Sequence, residues 1–324
     1  MSTTTTETPV DSKMKFLEDT LGGLRSSPKS MQSKYFYDEK GDQIFQQIMD
    51  MDEYYLTNSE MEILQNQAGH LADVIAGKGD AFDLIELGAG DATKSIHLLK
   101  SLLEKKINFT YLPIDISAHV ISDLENNLPQ QLPDLDIQGL NGDYFDMLEQ
   151  ANLRSDRRKV VLFMGANVGN MTVEDAGNFC RQLRGSLSQN DTLIVGFDLK
   201  KNPQQILDAY NDKGGITRAF NLNLLERINR ELEANFDLKN FDHYATYDPA
   251  SGSCKSYLIS LKQQNVSISG EMIHFESNEY IFMEISQKYD LSDIAALAEK
   301  SGFKPVQHFF DQRSYFVDAI WEVH

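Results

Sequence analysis

Short apolar runs, each ending at a glycine or an aspartate, recur through the first two-thirds of the sequence with helical stretches between them. The runs are AFDLIEL (81–87), FTYLPI (109–114), LDIQGL (135–140), KVVLFM (159–164) and TLIVGF (192–197). Apolar runs of this length, separated by helices, are typical of strands covered on both faces of a parallel sheet. The sequence therefore predicts an α/β fold built from βαβ units, with the special residues at the carboxyl ends of the strands.

This alternation stops after residue 200 and returns near residue 290. A helix is predicted over 218–235, and the antiparallel strands expected after it are HYATYDP, KSYLISL and VSISGEMIHF. The final helix, LSDIAALAEKSGF, should end at Gly302, and the terminal strands should be VQHFFD and SYFVDAIWEV.

We therefore predict two domains, one of them inserted into the other. Residues 13–60 together with 201–290 should form an α+β domain, and residues 61–200 together with 291–324 should form the parallel-sheet domain. Residues 1–12 are polar and rich in threonine, so we expect a disordered tail there.

The segment before the first strand carries two further signals. Several tyrosines and phenylalanines between Tyr35 and Tyr55 favour a packed cap over a linker. Thr57 and Glu60 have the form of a capping box, and an apolar stripe with steps of three and four residues follows them. This pattern predicts a helix that begins at Thr57.

Composition excludes several classes of function. A formal net charge of −19 argues against nucleic acid as a partner, because phosphate neutralisation needs clustered Lys and Arg. The seven histidines lack the spacing of metal sites, so we expect no metal. The two cysteines, Cys180 and Cys254, lack CxxC spacing, and no apolar run reaches the roughly 18 residues of a membrane span. Without a signal-peptide core at its start, the sequence predicts a cytoplasmic protein, which we expect to be a monomer with no membrane association.

The residues after the first strand predict a nucleoside-type ligand. Gly88 and Gly90 allow a sharp turn and close approach of a ligand, and a helix starting near Thr93 would offer free N–H groups. Asp115 lies 25 residues beyond Gly90 at the end of the second strand, where it can accept both hydroxyls of a ribose. Asp143 follows the third strand and could bind the adenine amino group.

Thr93 stands where a dinucleotide fingerprint has its third glycine. A pyrophosphate cradle is therefore less favoured than an adenosyl site without phosphates, which predicts S-adenosyl-L-methionine as the cofactor. A simple tight turn remains the structural alternative for the glycines taken alone.

Several segments together go beyond the fold. They cover residues 28 to the end in one order and resemble the L-histidine Nα-methyltransferases of ergothioneine biosynthesis, a histidine-specific S-adenosylmethionine-dependent family. The segments are KYFYDEKGDQIFQQI, EYYLTNSE, LIELGAGDATK, FMGANVGNMT, INREL with NFDL, and MEISQKY.

This resemblance implies a Rossmann-like class I methyltransferase sheet and a second α+β domain that binds the substrate. It implies S-adenosyl-L-methionine as methyl donor, S-adenosyl-L-homocysteine as product, and a small-molecule amino acid as partner. The cofactor-binding positions would be Tyr37, Gly88, Gly90, Lys94, Asp115, Asp143 and Tyr144.

The resemblance also implies roles at the substrate. Tyr37 would lie near the methyl donor and the amino group, which makes it the candidate catalytic residue. Asn170 and Tyr210 would hold the substrate carboxylate, and Glu284 and Ser286 would bind the imidazole. The other substrate-binding candidates are Tyr54, Gly165, Thr217 and Ser256. Bacterial members of the family have a methionine where this chain has Ser256, so its ring pocket should be roomier or more polar.

The expected reaction is methylation of L-histidine, up to three times, to give hercynine. A glutamate beside a serine can match the donor and the acceptor of an imidazole, which an indole or phenyl ring could not fully do. Three alternatives stay open: a family member acting on tryptophan or a derivative, a nicotinamide-dependent oxidoreductase, and a non-catalytic binding protein. Tyr37 and Tyr54 could also be core aromatics, Asn170 a helix-start residue, and Glu284 with Ser286 an exposed strand face.

Overall fold

A computed structural model describes residues 9–77, 79 and 81–323 of the chain. It divides into two compact units. We call Met1–Tyr55 with Lys201–Ser286 the inserted unit, and Leu56–Lys200 with Gln287–His324 the sheet unit. The domain roles predicted from the sequence stay a prediction.

The elements are numbered in chain order over the residues that the structure describes. The helices are α1 (Pro9–Arg25), α2 (Glu39–Met49), α3 (Tyr55–Ala76), α4 (Ile96–Glu104), α5 (Ala118–Gln131), α6 (Tyr144–Arg154), α7 (Val173–Gly185), α8 (Pro203–Tyr210), α9 (Ile216–Glu231) and α10 (Leu291–Lys300). The strands are β1 (Lys29–Ser30), β2 (Phe82–Leu87), β3 (Phe109–Asp115), β4 (Leu140–Asn141), β5 (Arg158–Phe163), β6 (Thr192–Asp198), β7 (Phe241–Asp248), β8 (Ser253–Ser260), β9 (Gln264–Ile268), β10 (Glu271–Phe275), β11 (Tyr280–Gln287), β12 (Phe303–Phe310) and β13 (Phe316–Val323).

The sheet unit contains, within its described residues, a seven-stranded sheet in the order β12-β13-β6-β5-β2-β3-β4. Strands β2 to β6 run parallel, and β13 is antiparallel to both β6 and β12. Every residue of β2 and β6 is buried, as continuous apolar strands between two helical layers should be. The chain starts in the middle of the sheet, moves outward to β4 and then continues on the other side of β2 with β5. The predicted Rossmann-like fold is confirmed, and ligands of such sheets bind beyond the carboxyl ends at this reversal.

The inserted unit contains the predicted antiparallel strands. Its described residues form a four-stranded sheet in the order β1-β11-β8-β7 and a separate β9–β10 hairpin. Helix α9 is buried over much of its length, and the ring of its Phe220 lies 4.9 Å from the ring of Phe36. Phe220, Leu224 and Leu225 of α9 belong to the hydrophobic core of this unit.

Some predicted boundaries are wrong. Helix α3 begins at Tyr55, so Thr57 and Glu60 are inside it and form no capping box. Helix α1 begins at Pro9, so the predicted tail is wrong for residues 9–12, while residues 1–8 lie outside the described residues. Helix α4 begins at Ile96 and not near Thr93.

Two other predicted elements are shorter in the structure. The third strand, predicted over 135–140, is reduced to Leu140–Asn141, with one isolated bridge between Tyr111 and Ile137. The helix predicted to reach residue 235 ends at Glu231. The helix ends before Glu233, whose φ of +52° lies outside the helical range.

Candidate functional site

The turn after β2 is shaped by glycine. Gly88 has φ +71° and its N–H donates to the Ile114 carbonyl at 2.9 Å, which ties the turn to the end of β3. A Cβ atom added at Gly88 would lie 2.7 Å from the hydroxyl of Tyr144. Gly90 also has a positive φ, +54°, but no heavy atom of the described chain lies within 4 Å of a Cβ added there. Gly88 is therefore required for both backbone conformation and space.

Asp115 and Asp143 lie at the ends of adjacent strands. The Gly142 N–H donates to the Asp115 carbonyl at 3.0 Å, which brings the loop after β4 against the end of β3. Asp143 caps helix α6, where its carboxylate accepts the N–H of Phe145 at 3.0 Å. Desolvation, followed by the charges of Asp115 and Asp143, raises the pKa of Tyr144 above its usual range. Both carboxylates thus lie near the same phenol.

The loop after β5 contains Gly165 and Ala166, with φ angles of +75° and +55°. A Cβ atom added at Gly165 would lie 3.5 Å from the Asn167 amide nitrogen and 3.7 Å from Nζ of Lys94. The same Asn167 nitrogen is 3.9 Å from the Cβ position of Gly88. The structure therefore brings together Gly88, Lys94 and Gly165. It adds Asn167, which was not predicted because Asn170 was the residue of the ANVGN segment that the family resemblance pointed to.

Glu60 is the second residue that the sequence interpretation missed. It is fully buried in α3, where one carboxylate oxygen accepts the Gly165 N–H at 2.7 Å and the other bonds Nζ of Lys94. Desolvation lowers the pKa of Lys94, but the charge and hydrogen bond of Glu60 outweigh it and raise that pKa above its usual range. Lys94 is therefore a cation at neutral pH. Glu60 is the last residue of the EYYLTNSE segment, but its spacing from Thr57 was interpreted as a capping box.

The inserted unit places four of the predicted aromatic and polar residues in contact. The rings of Tyr54 and Tyr210 lie 6.1 Å apart, and the Tyr210 and Ser286 hydroxyls share a hydrogen bond of 2.7 Å. Phe45 links Tyr37 to Tyr54, with ring distances of 5.5 Å and 6.5 Å. We call Tyr37, Phe45, Tyr54, Tyr210 and Ser286 the tyrosine cluster.

Glu284 adds a carboxylate beside this cluster. Desolvation, then the charges of Glu284 and Asp42, raise the pKa of Tyr37 well above its usual range. Tyr37 is 45% exposed and is a neutral phenol at physiological pH. Glu284 and Ser286 are two residues apart in β11, so they share one face of that strand.

Three predicted residues have other surroundings. Ser256 is buried, and its hydroxyl is 3.2 Å from Nε2 of His243, whose pKa desolvation lowers to about 4. Thr217 is buried near the start of α9, and its N–H donates to the carboxylate of Asp212 at 2.8 Å. Asn170 is exposed in the sheet unit at the end of a short 3₁₀ turn, Asn167–Asn170. The contacts above do not bring Ser256 or Thr217 to the tyrosine cluster.

The described residues contain no group of three or more His, Cys, Asp and Glu side chains arranged to hold a metal ion. Among the helices of these residues, none has the length and apolarity to cross a bilayer.

Comparison with known proteins agrees with the geometry of the sheet edge. A family model described as "Histidine-specific methyltransferase, SAM-dependent" matches residues 16–323. The histidine N-alpha-methyltransferase of Mycolicibacterium smegmatis is 31% identical over 300 residues, which cover 92% of each chain. Ergothioneine biosynthesis protein 1 of Neurospora crassa is 30% identical over 88% of this chain and 32% of its own length.

A further relative has a different named substrate. The 4-dimethylallyltryptophan N-methyltransferase of Claviceps fusiformis is 29% identical over 206 residues, which cover 61% of this chain and 57% of that protein. The family predicted from the sequence is confirmed: the chain belongs to the histidine-specific, S-adenosylmethionine-dependent methyltransferases and is an N-methyltransferase.

Proposed function

We propose that this enzyme methylates the α-amino group of L-histidine, up to three times, and so makes hercynine for ergothioneine synthesis. The observation that carries the proposal is the hydrogen bond between Tyr210 and Ser286 beside Tyr54, with Glu284 on the same strand face as Ser286. Phenol, hydroxyl and carboxylate are the groups that match the carboxylate and ring of histidine. The relatives named for histidine methylation and for ergothioneine biosynthesis support the same choice.

The substrate contacts follow from hydrogen-bonding capacity. Glu284 accepts an imidazole N–H, while the Ser286 hydroxyl can donate to the other ring nitrogen. A ring without two nitrogens would leave one of these polar groups unpaired, which is a strong basis for discrimination. Tyr210 is a neutral donor for the substrate carboxylate, and Tyr54 packs beside the ring. Since Tyr210 and Ser286 have one hydroxyl proton each, these substrate contacts take the place of the hydrogen bond between the two hydroxyls.

The cofactor contacts rest on the sheet edge. Gly88 and Gly90 form a turn that leaves room for close approach, and Asp115 can accept the ribose hydroxyls. Asp143 is proposed for the adenine amino group, with Lys94 and Tyr144 alongside. Gly90 leaves open space for this group, because a Cβ atom added there would have no heavy atom of the described chain within 4 Å.

Bound S-adenosylmethionine supplies a methyl carbon on a positively charged sulfur, which is already an activated leaving group. The proposed displacement therefore needs no metal. The protein has to hold the neutral amine in line with that carbon. Tyr37 is proposed to orient the amine through its phenolic oxygen. Because its raised pKa keeps Tyr37 protonated, the phenol cannot accept a proton, so we assign it orientation rather than base catalysis. Water takes up the proton that the methylated amine loses before the next transfer.

The reaction stops after three transfers because a quaternary nitrogen has no lone pair. The aromatic faces of the tyrosine cluster suit a progressively alkylated ammonium group. We further propose a monomeric enzyme. We propose that it is cytoplasmic because Cys180 and Cys254, both buried, are not joined in a disulfide.

Mass spectrometry tests the substrate directly. The enzyme is incubated with S-adenosylmethionine, the twenty amino acids and 4-dimethylallyltryptophan in one mixture. We expect histidine to shift by three methyl masses. A shift of any other compound in place of histidine, or a histidine product that stops at one methyl, would contradict the proposal.

A second candidate substrate is tryptophan or a derivative. Only Ser256 favours this alternative. By the family resemblance it replaces a methionine near the substrate ring, and a smaller residue there would leave space for a larger side chain. The relative named for 4-dimethylallyltryptophan methylation makes this the alternative outcome of the same experiment.

A further inference from the structure

A buried group of acids surrounds one lysine in the sheet unit. Glu60 in α3, Glu86 in β2 and Asp318 in β13 are all at most 5% exposed, and each interacts electrostatically with Lys94. Three buried carboxyl groups therefore share a single ammonium, that of the partly exposed Lys94. Two of them are poor candidates for the charged partner of Lys94.

The surroundings of two of these acids, Glu86 and Asp318, favour the protonated form. Desolvation raises the pKa of Glu86 to about 7, although the Tyr111 hydroxyl donates to its carboxylate at 2.5 Å. Desolvation, then the charge of Glu60, raises the pKa of Asp318 far above its usual range. Within the described residues, neither oxygen of Asp318 has a hydrogen-bond partner. Glu60 is thus the carboxylate that bonds Lys94.

Strand β6 leaves room for this carboxylate. A Cβ atom added at Gly196 would lie 2.5 Å from Glu60 Oε1 and 3.1 Å from the ring of Phe316. Gly196 pairs with Asp318 across β6 and β13, so all three residues meet at one place. A glycine inside a buried strand weakens that strand, and here it accommodates the Glu60 side chain.

Glu60 joins two loops that border the cofactor edge. One oxygen accepts the N–H of Gly165, in the loop after β5, and the other bonds Lys94, in the loop after β2. We propose that Glu60 is a positioning residue for methyl transfer, which holds the Gly165 peptide and the Lys94 ammonium in place at the same time. For turnover this inference rests on the proposed function, but for cofactor affinity it does not.

A buried ion pair alone would not support this role. Such pairs are weak evidence for stability, since desolvation offsets most of their attraction. The sheet unit offers a matched pair for comparison: Lys159 and Asp83 are both 4% exposed with Nζ and Oδ2 2.9 Å apart. Asp83 lies near the start of β2, at the opposite end of the strand from Gly88. Any effect that belongs only to Glu60 therefore reflects its position at the cofactor edge.

Two variants separate the two oxygens. Glu60→Gln keeps one acceptor for two donors, and we expect it to stay on the fixed Gly165 peptide while Lys94, whose side chain is 29% exposed, moves away. Glu60→Leu removes both contacts. The displaced Lys94 would no longer hold its proposed hydrogen bond to the cofactor, so Glu60→Gln should weaken S-adenosylhomocysteine binding by about 10-fold or more in calorimetry.

The kinetic constants should divide in the same way. Glu60→Gln should raise the KM for S-adenosylmethionine by a similar factor and keep kcat within about 3-fold, because the Gly165 peptide stays in place. Glu60→Leu should show the same rise in KM together with a fall in kcat of about 30-fold. If Glu60→Leu fails to fold, Glu60→Gln still decides the question.

Asp83→Asn is the control. It should lower the melting temperature and leave kcat, KM and the affinity for S-adenosylhomocysteine unchanged. If Glu60→Gln behaves like Asp83→Asn, with a lower melting temperature and unchanged cofactor affinity, Glu60 is merely structural and the inference is overturned. The titration needs no amino acid, so a wild-type enzyme that ignores histidine would sink the proposed function while leaving this test intact.

Discussion

The sheet edge is shaped mainly by the backbone, whereas the tyrosine cluster is formed by side chains. At the sheet edge, backbone turns do most of the shaping: Gly88 and Gly165 have positive φ angles, and Asp143 caps a helix. In the tyrosine cluster, side chains from distant segments such as Tyr54, Tyr210 and Ser286 meet through rings and hydroxyls. The first region depends on local backbone geometry, and the second depends on tertiary packing.

The largest effect expected from this difference comes from Gly88→Ala. The new Cβ would lie 2.7 Å from the Tyr144 hydroxyl, and the residue would have to adopt a left-handed conformation. That conformation alone costs about 1–2 kcal/mol, and the displaced Tyr144 adds to it, so S-adenosylhomocysteine affinity should fall by about 100-fold or more. Calorimetry measures it directly.

Gly90→Ala is the matched variant for Gly88→Ala. It carries the same kind of backbone strain, with φ +54°, but the described chain offers no neighbour within 4 Å for its Cβ to meet. Its loss of affinity should be clearly smaller. Equal losses would show that the contact with Tyr144 does not matter, and the argument from close approach would be wrong.

The second effect comes from the other region. Glu284→Ala should lower kcat/KM for histidine by the worth of a hydrogen bond to a charged group, about 1.5–3 kcal/mol or about 10- to 150-fold. Affinity for S-adenosylhomocysteine should stay at the wild-type value. Steady-state kinetics and calorimetry on one preparation give both numbers.

Glu271→Ala is a suitable control for Glu284→Ala. Glu271 is an exposed carboxylate of the same unit, 2.8 Å from Arg25 in an ion pair that solvent screens. It should change neither constant. Unchanged histidine kinetics in Glu284→Ala would show that Glu284 does not bind the substrate. The tyrosine cluster would then lack the carboxylate that we assign to the imidazole.

A smaller loss is expected at Asp115, the proposed ribose anchor. Asp115→Ala removes an acceptor that is half-buried at the end of β3 and should weaken S-adenosylhomocysteine binding by about 10-fold, near the lower end of the cost of a charged hydrogen bond. Asp134→Ala, an exposed neighbour beyond α5, should have no effect. If both variants bind like the wild type, the ribose is held elsewhere.

The two regions were also predictable to different degrees. Spacing alone located Gly88, Asp115 and Asp143, because the carboxyl ends of parallel strands share one edge of a sheet. The tyrosine cluster came only from a family resemblance, since no spacing rule relates Tyr54 to Ser286.

Glu60 shows the limit of local patterns. Its spacing from Thr57 fits a helix start, but its carboxylate is used by Gly165, 105 residues further along the chain. Asn167 and the exact start of α3 escaped the sequence interpretation for the same reason: packing between distant segments decided them.

The smallest expected effects concern the pH dependence of stability. As the pH rises, the contribution of Glu86 in the sheet unit should fall and that of His243 in the inserted unit should rise. The pKa of Glu86 in the folded sheet unit is raised to about 7, so the folded state holds its proton more tightly than the unfolded state does. The stability from this group is present below the unfolded pKa and is lost as the pH rises through 7. The pKa of His243 in the inserted unit is lowered to about 4, so its contribution is present above pH 6.5 and is lost as the pH falls toward 4.

Differences between variants isolate these two contributions from the many other carboxylates. Relative to the wild type, Glu86→Gln should gain about 2–4 °C in melting temperature between pH 5 and pH 8, because its side chain no longer ionises in a buried site. His243→Gln should gain by a similar amount between pH 7 and pH 5, since the unfolded wild type then takes up a proton that the folded state, with a His243 pKa of about 4, does not. Calorimetric scans across this range measure both. The melting-temperature difference from the wild type should therefore rise with pH for Glu86→Gln and fall with pH for His243→Gln. If both differences changed with pH in the same direction, the assignment of a buried acid with a raised pKa to one unit and a buried base with a lowered pKa to the other would be refuted.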